Sequence, residues 1–179
     1  MNIKKRTDFH LLLKKHNCKT GIELGVGSGR YSEHLINSHD FTAFYSVDLW
    51  NSRAHLVDQY IDAYNRLKIY NNAYIYRASF EEVFNTFEDN YFDFIYIDGY
   101  AHNGSDLAIE QWYSKLKVGG IYSGHDYIDE NYPGRDSKGR LIYEKYLETK
   151  QAVDVLCRDH NKQINLTSAD KYPSWWLIK

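Results

Sequence analysis

The sequence is poor in proline, cysteine and long hydrophobic runs, and most of these scarcities exclude a class of protein. Two prolines occur beside seventeen tyrosines in 179 residues, which indicates composition bias rather than function. Cys18 and Cys157 lie far apart without metal-type spacing, so a disulfide framework is not expected. No apolar run could cross a bilayer, and three consecutive leucines near the N-terminus are too few for a signal peptide. We therefore expect a cytoplasmic protein.

A strong excess of either charge is also lacking. The formal net charge is -2, and no basic run or arm is present. Such a chain has no overall field that would draw it to nucleic acid or to an acidic membrane surface. The composition therefore predicts no nucleic-acid partner and no membrane partner, and it leaves the oligomeric state open.

Strand-like and helix-like patterns alternate along the chain, and the length predicts one domain over residues 1–179, beginning with a helix within residues 1–17. This alternation predicts an α/β fold: a Rossmann-like, seven-stranded, mainly parallel sheet with helices on both faces and an antiparallel C-terminal hairpin. The predicted strands are 20–26, 42–50, 73–78, 92–97, 121–123, 164–167 and 175–178. The predicted helices are 3–16, 30–38, 52–69, a short one capped by Ser79 with Glu82, 106–117 and 141–160.

A glycine turn follows the first predicted strand. Gly25, Gly27 and Gly29 alternate behind Glu23, just before a helical pattern. A turn of this kind lets a ligand approach bare backbone at a helix N-terminus. The dinucleotide fingerprint GxGxxG would require a third glycine where Arg30 stands, so the turn favours a nucleoside-type ligand other than NAD.

Polar side chains gather where the other predicted strands end. Asp48 ends the second strand, Ser79 follows the third, Asp98 ends the fourth, and residues 124–127 (GHDY) end the fifth. Ligands of parallel sheets bind at these carboxyl ends. A carboxylate about 20 residues beyond the glycine turn can accept both ribose hydroxyls, which is the role expected of Asp48. Glu23 lies within an apolar strand, where an unpaired charge is costly, and we expect it to hold the turn or a ligand ammonium group.

These segments resemble the class I S-adenosylmethionine-dependent methyltransferases, over roughly residues 18–179. Within that class the chain is similar to the small macrolide-sugar and catechol-type O-methyltransferases. The motifs that carry the resemblance are ELGVGSG (23–29), VDLW (47–50), ASFEEV (78–83), IYIDGYAHNGSDL (95–107), LKVGGIYSGHDY (116–127) and the final PSWWLIK.

The resemblance implies methyl transfer from S-adenosylmethionine to a small-molecule acceptor, at a hydroxyl oxygen. It also implies a role for each matching residue in cofactor binding. The methionine part would lie against Glu23, Gly25, Gly27 and Gly29, the ribose against Asp48, the adenine edge against Ser79 and Phe80, and the sulfonium beside Asp98.

The resemblance further implies a divalent cation such as Mg²⁺ held by Asp98 and Asp126, although Tyr127 stands where the group has a second Asp or Asn. Oxygen ligands of this kind suit a hard ion. As a cation ligand, Asp126 would belong to the catalytic residues. His125 and His102 are two candidate general bases, because imidazole titrates near neutral pH.

A polar segment at 128–147 joins the fifth strand to the last helix, and we expect it to overhang the acceptor site. The alternative to an acceptor-site loop is an ordinary surface loop. Two other functions stay open at this point. One is an NAD-dependent oxidoreductase, which Arg30 disfavours, and the other is a non-catalytic module that binds a nucleoside cofactor.

Overall fold

Backbone hydrogen bonds join the strands of this chain into one sheet. The computed structural model describes residues 3–51, 57–99, 105–129, 131–132, 134, 139 and 141–179, with the backbone alone at 105–107 and 142–146. Within these ranges the strands are β1 (Thr20–Leu24), β2 (Ala43–Asp48), β3 (Ala73–Arg77), β4 (Phe92–Ile97), β5 (Leu116–Gly124), β6 (Asn165–Leu166) and β7 (Trp175–Ile178).

The strand order across the sheet is β3-β2-β1-β4-β5-β7-β6. Strands β1 to β5 pair in parallel, whereas β7 runs antiparallel to both of its neighbours. This confirms the predicted mainly parallel sheet with an antiparallel C-terminal hairpin. It also differs from the dinucleotide-binding order 3-2-1-4-5-6, because an antiparallel strand is inserted beside β5.

Helices cover both faces of the sheet because each central strand is apolar on both sides. In β4, Phe94 and Tyr96 face one core, while Ile95 and Ile97 face the other. The helices are α1 (Phe9–Lys15), α2 (Arg30–Ser38), α3 (Val57–Leu67), α4 (Phe80–Phe84), α5 (Ser105–Trp112) and α6 (Ile142–Asp159). Helices α1 and α2 contribute to the first core, and α4, α5 and α6 to the second. Among the residues described, no helix is long and apolar enough to cross a membrane.

The strand order predicts a ligand site between β1 and β4. The chain leaves β1 toward β2 on one side and later returns to place β4 on the other side. The carboxyl ends of β1 and β4 therefore flank a crevice at the point where the order reverses, which is where α/β sheets bind ligands.

Three elements differ from their predicted bounds by more than two residues. The helix predicted at 106–117 ends at Trp112 and is followed by a 3₁₀ turn at Tyr113–Lys115. The predicted helix 3–16 is helical only over α1, after a 3₁₀ turn at Arg6–Asp8, because the Asp8 carboxylate accepts hydrogen bonds from the Lys4 and Lys5 amides. Strand β5 begins at Leu116, before the glycine pair expected to stop a helix. Gly119, with φ of 82°, instead lies in an irregular stretch where β5 shifts its register against β4.

The end of β1 passes so close to the end of β4 that Gly25 cannot carry a side chain. A Cβ at Gly25 would lie 2.3 Å from the Asp98 carbonyl oxygen, whereas a Cβ at Gly119 would meet nothing within 4 Å. Both glycines have positive φ, at 94° and 82°. Alanine at Gly119 therefore carries the backbone strain alone, and alanine at Gly25 adds a steric clash.

We expect Gly119→Ala to lower the free energy of unfolding by about 1 to 2 kcal/mol. We expect Gly25→Ala to lower it by roughly 1 to 3 kcal/mol more, because the two strand ends must move apart. Denaturant titration of the two variants and the wild type measures this difference. Equal losses in the two variants would contradict the close approach.

Candidate cofactor and active site

The glycine turn is shaped by the chain's own packing. Gly25, Gly27 and Gly29 all have positive φ, at 94°, 55° and 77°. The Gly25 amide donates to the Val47 carbonyl at 2.8 Å, which ties the turn to β2. A Cβ at Gly29 would lie 2.9 Å from the Ala63 Cα, so this glycine lets α3 approach the start of α2. These contacts therefore fix the backbone of the turn beside the N-terminus of α2.

Asp48, at the end of β2, forms hydrogen bonds with this turn. The Asp48 Oδ2 atom accepts hydrogen bonds from the Val26 and Gly27 amides at 2.9 and 2.8 Å, and its Oδ1 atom accepts one from the Trp50 amide at 3.0 Å. The buried Trp50 indole donates to the Gly27 carbonyl at 2.7 Å. Asp48 thus points at the glycine turn, as its spacing predicts, and it holds the loop amides. Its contact with a ribose stays a prediction.

Glu23 is a buried acid near the carboxyl end of β1, with a relative exposure of 1%. Its carboxylate accepts a hydrogen bond from the Ser32 hydroxyl, which lies 2.8 Å from the Ser46 hydroxyl. Burial, together with the nearby negative charge of Asp98, raises the pKa of Glu23 from 4.5 to about 8. The site therefore holds an acid that a cationic group can bring into its charged form at neutral pH.

Asp98, at the end of β4, forms an ion pair with a residue from the start of the chain. Arg6 Nη1 lies 2.8 Å from Asp98 Oδ2, and the guanidinium lies over the Tyr31 ring at 4.8 Å from its centroid. The Arg6 amide donates to Asp170 at 2.8 Å, and its carbonyl accepts from the Tyr31 hydroxyl at 3.0 Å. The N-terminal segment is therefore fastened over the ends of β1 and β4.

His125 lies at the end of β5 in a hydrogen-bonded chain of side chains. Its Nδ1 atom is 2.9 Å from the Ser174 hydroxyl, which is 3.0 Å from the Tyr96 hydroxyl. Its Nε2 atom is 3.7 Å from Asp126 Oδ1, and Asp126 has a positive φ of 59° at this sharp turn. Burial lowers the pKa of His125 below its usual 6.5. The imidazole is therefore neutral at physiological pH.

Ser79 and Phe80 follow β3, at the start of α4. Ser79 caps α4 as the sequence predicts: its hydroxyl accepts from the Glu82 amide at 3.2 Å, and its own amide donates to Glu82 at 2.7 Å. The Phe80 ring packs against Gly99, where a Cβ would lie 2.9 Å from the ring. Both residues thus lie near the end of β4, and their contact with an adenine stays a prediction.

Two further predictions concern residues beyond the described ranges or a metal. His102 lies outside the described residues, as do Arg135, Asp136, Lys138 and Arg140 of the 128–147 segment. In the part of the chain that is described, no group of three or more His, Cys, Asp or Glu side chains could hold a metal ion. The Asp98 carboxylate is instead balanced by a guanidinium, so these residues do not fit the predicted cation.

Sequence reasoning missed Arg6, Ser174 and Tyr96. Arg6 follows Lys4 and Lys5 in the predicted N-terminal helix, where such residues are typical of the solvated face, and its partner Asp98 is 92 residues away. Ser174 is fully buried and lies in the connection between β6 and β7, residues 167–174, which we call the hairpin connection. The sequence signal that points to this connection is the predicted C-terminal hairpin. Because β7 pairs with β5 in the structure, the connection lies near His125.

Comparison with protein families identifies the class of this fold and site. Residues 20–127, more than half of the chain, match the family model described as a methyltransferase domain, Methyltransf_24. The chain belongs to this family, and it is a class I S-adenosylmethionine-dependent methyltransferase. The match spans the glycine turn, Asp48, Asp98 and His125.

Solved methyltransferase structures share the fold at low sequence identity. A Staphylococcus aureus structure, provisionally described as a caffeoyl-CoA O-methyltransferase, aligns with a TM-score of 0.75 and 17% identity over 96% of this chain and 81% of its own. An O-methyltransferase from Bacillus cereus in complex with SAH gives 0.70 and 13% over 97% and 80%. The N-methyltransferase NodS from Bradyrhizobium japonicum gives 0.60 and 14% over 96% and 94%. No curated protein matches the sequence.

The raised pKa of Glu23 predicts a stability that falls as the pH rises. The folded pKa exceeds the unfolded value, so folding takes up a proton between pH 4.5 and about 8. One pKa unit corresponds to about 1.4 kcal/mol, so the free energy of unfolding should fall by up to about 5 kcal/mol across this window. Glu23→Gln removes the titrating carboxyl group, so we expect its free energy of unfolding to lack this fall between pH 4.5 and about 8.

Denaturant titrations of the wild type and Glu23→Gln at several pH values measure the difference between the two curves. Glu88→Gln, at a solvent-exposed position, is the matched control and should keep the wild-type slope. Parallel curves for the wild type and Glu23→Gln would show that Glu23 ionises normally in the folded protein.

Proposed function

We propose that this protein transfers the methyl group of S-adenosylmethionine to a hydroxyl oxygen of a small-molecule acceptor, with His125 as the general base. The observation that carries the proposal is a largely buried imidazole at the end of β5, hydrogen-bonded to Ser174, with a lowered pKa and an electrostatic interaction with Asp98. A neutral imidazole can take the proton of a hydroxyl group, which makes the oxygen a better nucleophile.

The donor set suits the cofactor in charge and shape. Three carboxylates, those of Glu23, Asp48 and Asp98, surround the glycine turn, and they match a ligand that carries an ammonium group, a sulfonium group and a ribose diol. When bound, the cofactor supplies an electrophilic methyl group. In this proposal the turn at 25–29 receives the methionine part, Asp48 the ribose, and Ser79 with Phe80 the adenine edge.

The base needs one particular tautomer. If the N–H at Nδ1 of His125 donates a hydrogen bond to the Ser174 hydroxyl oxygen, Nε2 keeps the lone pair that can accept a proton from the acceptor. Asp126, 3.7 Å from Nε2, then stabilises the imidazolium that forms. Ser174 and Tyr96 act in this scheme as positioning residues, because they orient the ring from its buried side.

A small acceptor suits the charge of the chain. The formal net charge of -2 supplies no field for a polyanionic acceptor. The segment 128–147 follows His125 directly, and we propose that it forms the rim of the acceptor site. Within it, the Tyr132 hydroxyl donates to the Lys171 carbonyl at 2.6 Å, which ties its first part to the hairpin connection. We also keep the cytoplasm as the proposed location.

Cofactor binding and the position of the transferred methyl group test this function. We expect calorimetry to detect binding of S-adenosylhomocysteine but not of NADH. A panel of hydroxylated small molecules, incubated with methyl-labelled cofactor and analysed by NMR, should then yield a methyl ether. Binding of NADH alone would refute the methyltransferase proposal, and a methyl group on nitrogen or carbon would refute the oxygen acceptor. Because Arg6 balances the charge of Asp98, we expect equal rates with EDTA and with added Mg²⁺.

His125→Ala should lower kcat by roughly 10²- to 10⁴-fold, because the base is lost. The affinity for S-adenosylhomocysteine should stay unchanged. In the wild type, kcat should fall with an acid limb below pH 6.5, since the pKa of His125 is lowered. This limb should be absent from His125→Ala.

The matched control is His160→Ala, which removes an imidazole 3.3 Å from Glu110 at the surface. We expect this variant to keep the wild-type kcat and pH profile. An unchanged kcat in His125→Ala would exclude His125 as the base.

A further inference from the structure

We propose that Arg6 binds the carboxylate of the cofactor's methionine part, so that the N-terminal segment forms one wall of the cofactor site. The inference rests on the proposed cofactor site at the glycine turn. It assigns a ligand contact to a segment that precedes the family match at residues 20–127 and that carried no predicted site residue.

Asp98 and Tyr31 hold the guanidinium of Arg6, and the hairpin connection holds its backbone. Asp98 at the end of β4 pairs with it at 2.8 Å, and Tyr31 of α2 lies beneath it at 4.8 Å. The hairpin connection holds its backbone, because Asp170 accepts from the Arg6 amide at 2.8 Å and the Ala169 amide donates to the Lys4 carbonyl at 2.8 Å. A side chain fixed in this way loses little conformational freedom when it binds a ligand.

A cation at this point would balance the charge of the cofactor's carboxylate. The cofactor carries one carboxylate, which would face the acidic side chains of Glu23 and Asp98. Like charges in a partly buried site repel strongly, so a bare carboxylate would be excluded unless a cation accompanied it. In the described part of the chain, Arg6 is the cation that acts electrostatically on both Glu23 and Asp98.

Arg6 can serve Asp98 and a ligand together. A guanidinium presents five N–H donors in a planar fork, and Asp98 accepts from one of them at Nη1. The Arg6 side chain keeps 33% of its surface exposed, so a ligand in the crevice can reach it. A fork of this geometry matches a carboxylate through two parallel hydrogen bonds.

The opposite reading is that Arg6 blocks the crevice and must leave before a ligand enters. The two readings predict changes of opposite sign when Arg6 is removed. Removal of a residue that binds the cofactor weakens cofactor binding, whereas removal of a residue that blocks the crevice tightens it. A ligand that lacks only the carboxylate separates the carboxylate contact from a general effect of charge.

Calorimetry with S-adenosylmethionine and with decarboxylated S-adenosylmethionine tests the proposal. We expect the wild type to prefer the intact cofactor. In Arg6→Met this preference, taken as the ratio of the two Kd values, should fall on the order of tenfold to a hundredfold. Arg6→Lys keeps the charge without the planar fork, and its ratio should lie between those of the wild type and Arg6→Met.

Lys117→Met is the matched control, because Lys117 forms an ion pair of the same length, 2.8 Å, with Asp93 at the start of β4, the end of the sheet opposite to Asp98. It should keep the wild-type ratio, and thermal unfolding monitored by circular dichroism checks that each variant is folded. An unchanged ratio in Arg6→Met and Arg6→Lys, or tighter binding of the intact cofactor by Arg6→Met, would overturn the assignment. A wild type that binds neither ligand would overturn the cofactor site itself.

Discussion

The site depends on the close passage of the end of β1 along the backbone of Asp98. Gly25 can approach to this distance because it lacks a side chain, and the Asp98 amide donates to the Leu24 carbonyl at 2.8 Å. The approach brings the carboxylates of Glu23 and Asp98 into one partly buried space. Burial, reinforced by that crowding of negative charge, raises the pKa of Glu23, and the same negative charge draws Arg6 to Asp98.

Most of the fold could be predicted, because the patterns that specify it are local. The alternation of Phe94, Ile95, Tyr96 and Ile97 between two cores is visible in the sequence once helices are expected on both faces. The bounds of β5 could not be predicted in the same way. A glycine pair ends a helix and makes an irregular strand equally well, and only the register against β4 decides between the two.

The candidate site was predictable to the extent that strand ends define it. Asp48, Asp98 and His125 lie at those ends, so the topology alone brings them toward one edge. Their partners were not predictable, because hydrogen bonding is decided by neighbours distant in sequence. The 20-residue spacing indicates that Asp48 lies near the glycine turn, but it does not show that the loop amides use its oxygens. Arg6 shows the same limit, since its neighbours in sequence resemble a solvated surface.

The insertion of β7 between β5 and β6 has a consequence for biosynthesis. Strand β5 leaves the ribosome about fifty residues before β7, and until then its outer edge has unpaired amides and carbonyls. An open edge of an apolar strand is a site for mispairing with other chains. The nascent polypeptide should therefore be most vulnerable to aggregation after α6 has emerged and before Trp175 and Trp176 close the sheet.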